Sequence, residues 1–175
     1  MNNTKILTSN SNIQYKVMKI LLGVAAIAAA SNISIPLEPV SITFGTIVLM
    51  VIGLTYSKGE ALSTVMSYLV IGAVGVPVFM NFGSTILHMM GPSGGYLLGY
   101  VLAVYCMAYM REKFALPMIY NCMLGHMLIY IPGVLWLSTF VGMEAAIYKG
   151  FIIYIPTGIL KIGFLIGLMH VIKRK

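Results

Sequence analysis

Acidic side chains are nearly missing from this sequence. Of 175 residues only four are acidic and 9% carry any charge, whereas about a quarter do so in a typical soluble domain. Such a chain cannot clothe itself for water, so a soluble globular domain is excluded. The same scarcity argues against an enzyme: catalysis needs a nucleophile with a base or two convergent carboxylates, and scattered acids with three isolated histidines offer neither. Cysteine is scarce as well. Cys106 and Cys122 both fall within apolar runs, so no disulfide framework is expected and each reads as a small buried hydrophobe. His88, His126 and His170 lack ligand spacing, and neither a metal nor a resident cofactor is expected. No Gly-Lys-Ser/Thr follows the glycine-rich stretch at 91–95, so it is not a nucleotide P-loop and the chain has no ATP site of its own.

What is present is hydrocarbon. The composition is 59% hydrophobic and the mean hydropathy is +0.95. An all-α integral membrane protein follows, since roughly 17 to 25 apolar residues cross a bilayer as a helix. Six stretches of spanning or nearly spanning length are predicted, at about residues 15–31, 44–56, 61–76, 96–110, 116–136 and from 156 onward. They make one compact six-helix membrane domain, residues 15–175, behind a polar cytoplasmic tail, residues 1–14. Residues 20–30, ending in three alanines, also resemble a signal peptide, but the later spans need that helix for packing and topology.

The net charge of +7 reflects topology and not nucleic acid. Lys5, Lys16, Lys19, Lys58, Arg111, Lys113, Lys173, Arg174 and Lys175 all fall on one side of a six-span arrangement, which puts both termini in the cytoplasm. Lys149 and Lys161 escape that rule. Lys149 follows Ala145 and Ala146 at the spacing of a short helix lying along the surface, and is expected to snorkel to water. Lys161 lies about 7 Å below the outer end of the last span. An unpaired lysine at the centre of a lipid face costs about 2.5 to 3.5 kcal/mol, so this one should face the interior or a wet cavity. Glu38 and Glu144 are the outer acids able to pair with it; the other reading is an anion supplied from outside.

Three further segments break the apolar pattern. The stretch "SIPLEPVSIT" (residues 34–43) carries Pro36 and Pro39 and predicts an outer loop or extended hairpin. After Pro77 comes an apolar, non-helical segment up to residue 95, which at membrane depth must pack on protein or line a cavity. Its glycines Gly91, Gly94 and Gly95 admit two readings. Either they permit a tight turn and close helix packing, or they let the amides at the start of the next helix point at a carboxylate. Finally, Pro132 should kink or stop the fifth span, and Tyr130 and Trp136 are placed to anchor at the outer interface. On the first span, Ala25 and Ala29 form a small-residue face on which another helix can pack, inside this bundle or from a partner.

With these residues in place the chain resembles the BioY family, the substrate-capture (S) components of energy-coupling factor (ECF) vitamin transporters. The matching pieces stand in order: "ISIPLEPVSIT", "YLVIGAVGVPVF", Asn81, "GPSGGYLLGY", "GHMLIYIPGVLWL" and "YIPTGILK". The resemblance implies a multi-pass protein of the prokaryotic plasma membrane that holds biotin in an outward-facing pocket capped by the loops after spans one and three. It implies Thr43, Asn81, Ser93, Gly94, Gly95, Tyr96, Thr157 and Lys161 as binding residues, with Lys161 meeting the carboxylate. It also implies a membrane-embedded coupling protein and two ATP-binding cassette subunits as partners, with Ala25 and Ala29 as the docking face. Two departures stand out. Thr43 is followed by Phe44 and Gly45 where the family usually has leucine and glutamine, and Gly158 stands where it usually has aspartate. Losing one or two contacts worth about 1 to 3 kcal/mol each weakens biotin by ten- to a thousandfold. A carboxylate-tailed relative such as lipoate or dethiobiotin is therefore the alternative ligand, and a non-transporting structural subunit the alternative of another class.

Overall fold

The computed structural model describes residues 3–173, with the side chains of residues 13–170 among them. The side chains of Lys5, Lys173, Arg174 and Lys175 therefore lie outside the described residues. The chain runs α1 (Asn3–Asn32), a hairpin of β1 (Ser34–Ile35) and β2 (Ile42–Thr43), α2 (Gly45–Thr55), α3 (Lys58–Ala73), α4 (Thr85–Met90), α5 (Gly94–Phe114), α6 (Met118–Val141), α7 (Met143–Ile147) and α8 (Tyr154–Lys173). All six expected apolar stretches are helical. Among the described residues three segments are long and apolar enough to cross a membrane, Ile13–Asn32, Met118–Val141 and Met143–His170.

Several boundaries differ from expectation for local reasons. The stretch expected as a polar tail ahead of the first span is helical from Asn3. The expected extended hairpin over residues 34–43 is present as an antiparallel ladder pairing Ser34 with Thr43 and Ile35 with Ile42, where prolines at 36 and 39 prevent a helix. Lys149 is exposed, as a snorkelling lysine should be, on the π-helical turn that follows α7. Most telling is Pro132, which neither stops nor ends α6. Proline leaves the carbonyl four residues earlier, Leu128, without its donor. The fold packs Gly99 of α5 directly over it: a Cβ there would lie 2.9 Å from Leu128 O and 2.7 Å from Ile129 Cα. Only glycine lets two helix backbones meet so closely.

The centre of the bundle is dry. Ile27, Leu49, Val65, Ala103, Val104, Met107 and Cys122 are wholly inaccessible, and α5 packs on α6, α3 and α2. Cys106 and Cys122 are free.

Charge gathers at one end. Lys19 of α1 bonds Glu60 at 2.8 Å, Glu60 closes a capping box with Ser57 at the start of α3, Arg111 donates to Tyr56 O at 2.6 Å, and Glu112 accepts from Lys58 N. The turn between α2 and α3 is thereby bonded to the end of α5. The hydrogen bond from Lys19 holds the Glu60 carboxyl below the usual carboxylate range. A group whose folded value is depressed adds stability that is present above its unfolded value, near pH 4.3, and lost as pH falls through the folded one. Glu60→Gln should thus lower the melting temperature of the detergent-purified protein at pH 7 by about 2 to 4 °C, for roughly 1 kcal/mol. The gap from wild type should close on acidification below pH 4; a gap that persists there rules out the ionic contribution.

Candidate functional site

At the end of the bundle opposite the charges, the hairpin and the segment after α3 cover a cavity. Its walls come from α1, α2, α3, α5, α6 and α8, with Phe79, Met80 and His88 as part of the roof. The two covering loops are latched together. Asn32 Oδ1 accepts from Phe82 N at 2.6 Å, and Ser34 Oγ donates to Asn81 Oδ1 at 3.4 Å. The left-handed backbone at Asn81 and Phe82, φ +55° at each, turns the loop sharply enough to make both contacts, a conformation that asparagine tolerates better than most residues. Tyr154 at the start of α8 donates to Val40 O and pins the hairpin from the other side.

Lys161 lies at the heart of the cavity wall. Its ammonium donates to Thr43 O at 2.8 Å and to Thr46 Oγ1 at 2.8 Å. Neither Glu38 nor Glu144 pairs with it, and both are exposed; among the described residues it has no carboxylate partner. An ammonium has three hydrogens to donate. Two are used by neutral acceptors, which orient the group and leave its charge uncompensated. His88, stacked on Phe79 at 5.3 Å, is pushed below the usual imidazole value by burial, so Lys161 is the cation of this lining.

The rest of the wall is aromatic and hydroxylic. Tyr68, Tyr96, Tyr100, Tyr130 and Tyr154 all line it, with Ser31, Ser41, Thr43, Thr46 and Ser93. Tyr68 donates to Ser31 Oγ at 3.2 Å, and Tyr96 to Gly150 O at 2.8 Å, which ties α5 to the turn before α8. Tyr130, expected at the membrane interface, is buried and belongs to this wall, and half-buried Trp136 donates to Gly91 O at 3.0 Å. The physical reason is shared: α6 turns one aromatic face toward α5, where Gly133 makes room for the Tyr96 ring.

Of the expected binding residues, Thr43, Ser93, Tyr96 and Lys161 come together around the cavity. Asn81 is exposed and serves the latch. Thr157 donates to Tyr154 O within its own helix and faces an outer groove. Gly94 and Gly95 do not line the cavity. Their Cα atoms pack against Met89 and Trp136, and the carbonyls of Gly91 and Ser93 take up the amides of Gly94, Tyr96 and Leu97. Close packing is thus what surrounds Gly94 and Gly95, and three of the amides at the helix start are already taken by backbone carbonyls. Ser31, Thr46, Tyr68 and Tyr100 also line the cavity, beyond the residues expected from the sequence. The i, i+4 spacing of Tyr96 and Tyr100 was a legible signal; Ser31 and Thr46 had none. The departure at Gly45 also becomes intelligible, since a side chain there would collide with Ser31, whose hydroxyl supplies a polar group to the same wall. Ala25 and Ala29 are exposed on α1.

The cavity measures about 70 Å³. Sites for small organic ligands are usually about 300 to 1,000 Å³, so the cavity as it stands is smaller than such sites.

Comparison with known proteins gives one consistent result. A family model described as the BioY family matches residues 3–175. A protein of Rickettsia prowazekii called probable biotin transporter BioY is 38% identical over 169 residues, covering 90% of this chain and 87% of that one. Biotin transporter BioY2 of Lactococcus lactis is 29% identical, covering 92% and 87%. The crystal structure of the S-component for biotin from an ECF-type ABC transporter superposes with a TM-score of 0.76, covering 100% of this chain and 95% of that one at 17% identity. The fold is shared with that protein.

Removing the latch tests whether the cap is held by these bonds. Asn32→Ala should speed amide hydrogen exchange across residues 80–83 by about five- to tenfold, the worth of roughly one hydrogen bond, while α5 and α6 stay protected. Exchange mass spectrometry showing no change at 80–83 would mean that packing alone holds the loop.

Proposed function

The chain belongs to the BioY family, and on that premise we propose that it captures biotin from outside a prokaryotic cell and delivers it inward, with the carboxylate bound to Lys161 beneath the hairpin. The observation that carries this reading is a half-buried ammonium, facing a capped cavity, held by two neutral acceptors and by no carboxylate among the described residues. Such a group is stabilised by an acid brought from outside, through a charge-assisted hydrogen bond in a site that excludes water. Its relatives are named as transporters, not as enzymes.

In this reading all six long helices cross the membrane with both termini in the cytoplasm. The charged end formed by Lys19, Lys58, Arg111 and Lys113 faces inward, and the capped cavity faces outward. At 1.5 Å per residue the 11 residues of α2 reach only about 16 Å, well short of a hydrocarbon core near 30 Å. The hairpin and the latched loop complete that crossing within protein, where non-helical backbone is tolerated. Delivery against a gradient needs energy that this chain lacks a site to harvest. A membrane coupling protein and two ATP-binding cassette subunits supply it, docking on the exposed Ala25 and Ala29 face where a helix can approach closely.

Lipoate is the second reading, favoured by one observation: Gly158 contributes no polar group to the ring of the ligand, whereas dethiobiotin keeps the ureido ring and is not favoured by it. Against it stand the Ser31 and Tyr68 hydroxyls at the place where Gly45 left a polar contact in doubt. A purely structural subunit would bind none of these acids.

Calorimetry on the purified protein distinguishes the readings. Wild type should bind biotin, and Lys161→Ala should weaken it about ten- to a hundredfold, for the loss of one charged hydrogen bond. Wild type that binds lipoate and ignores biotin establishes the second reading, and heat from no acid at all leaves the structural subunit.

A further inference from the structure

The charged end of the bundle carries a second feature on its outer surface. Lys58 opens α3 and Lys113 lies in the last turn of α5, and their side chains converge on one ring. The Lys58 ammonium lies 5.7 Å and the Lys113 ammonium 5.5 Å from the centre of Tyr109, and Lys113 also donates to the Tyr109 hydroxyl at 3.0 Å. Cation–π attraction gathers two like charges that would otherwise keep apart. Neither lysine pairs with a carboxylate among the described residues. Glu112, the nearest acid in sequence to Lys113, lies 3.6 Å from Arg111 and accepts from the backbone amide of Lys58. Two exposed ammoniums therefore stand uncompensated where two helices join.

Below this pair the surface is apolar and grooved. Leu98, Leu102, Tyr105 and Tyr109 follow one another on α5 at intervals of four, three and four residues, which is one face of a helix. Tyr105 stacks on Tyr109 with the ring centres 6.4 Å apart, so the face is continuous up to the lysines. Met66, Val70 and Ala73 form the facing wall on α3, and between the two helices runs a groove of about 510 Å³ with Ile86 and Met89 of α4 at its far end. At 1.5 Å per residue Met66 stands about 12 Å along α3 from Lys58. One leaflet, half of a hydrocarbon core near 30 Å, is roughly 15 Å deep. A hydrocarbon chain hanging from a head group at the lysines thus reaches the groove.

We propose that this surface binds one anionic phospholipid of the leaflet at the charged end, its phosphate bridging Lys58 and Lys113 and an acyl chain passing Tyr105 into the groove between α3 and α5. Phosphate oxygens accept charge-assisted hydrogen bonds from both ammoniums, and basic pockets between transmembrane helices are where such head groups bind. The bound lipid ties the start of α3 to the end of α5 and fixes the depth at which the bundle sits. The site is at the opposite end from Lys161, so the inference holds whichever acid that cavity takes.

The test is native mass spectrometry of the detergent-purified full chain, titrated with phosphatidylglycerol and with phosphatidylcholine of the same acyl chains. Wild type should retain one phosphatidylglycerol, about tenfold more tightly than phosphatidylcholine. Lys58→Gln and Lys113→Gln should each weaken phosphatidylglycerol about fivefold and leave phosphatidylcholine unchanged. Leu102→Trp fills the groove, keeps both lysines, and should weaken phosphatidylglycerol about three- to tenfold. Lys16→Gln removes an exposed cation of α1 outside the pair and should stay within about twofold of wild type. Equal retention of the two lipids by wild type overturns the inference, since the surface then holds only ordinary bilayer lipid. So does a loss in Lys16→Gln as large as in Lys113→Gln, which would show net charge acting without a site. Wild-type retention in Leu102→Trp removes the groove from the site and overturns it as well.

Discussion

A lysine ammonium placed within an apolar bundle must find acceptors, and this need organises one whole end of the molecule. Lys161 finds them in Thr43 O and Thr46 Oγ1, which stand at the close of the hairpin and in the first turn of α2. Satisfying the amine therefore draws the hairpin down onto α8. Once there, the hairpin is held by Tyr154 at Val40 and meets the loop after α3 through Ser34 and Asn81. A cap, a cavity and a half-buried cation arise as one arrangement, because moving any of them strands polar groups in hydrocarbon.

The wall opposite the lysine depends on a different constraint, the close approach of α5 and α6. Gly99 and Gly133 remove the side chains that would hold the helices apart. The space goes to tyrosine rings, which fill volume as hydrocarbon and present hydroxyls at their tips. A site so built is mostly apolar with few polar points, the usual economy of small-molecule sites. It also explains the glycine-rich segment at 91–95, whose residues seat a helix against Trp136 and Met89 and leave the contacts with the cavity to Ser93 and Tyr96.

The two ends of the bundle differ in kind. One is fastened by charged and backbone contacts among Lys19, Glu60, Tyr56, Arg111 and Glu112; the other is closed by two loops joined through side-chain hydrogen bonds. Loop contacts of this kind open at lower free energy than packed helices. The proposed traffic of a ligand through the capped end uses that inequality, since the cap can lift while the helices stay packed.

Much of this was readable in the sequence. Nine per cent charge demanded a bilayer, the prolines at 36 and 39 demanded a non-helical loop, and the depth of Lys161 demanded an interior position. Each is a statement about the solvent that one residue requires, and local chemistry is enough to make it. What the sequence left open was which distant groups meet. Ser31, Thr46, Tyr68 and Tyr100 enter the wall, Asn81 and Thr157 turn elsewhere, and Pro132 stays inside a helix with Gly99 packed on the turn before it. Those outcomes depend on the rotation of each helix and on approaches of a few ångströms between helices, which packing alone sets, and no single residue's preference encodes them.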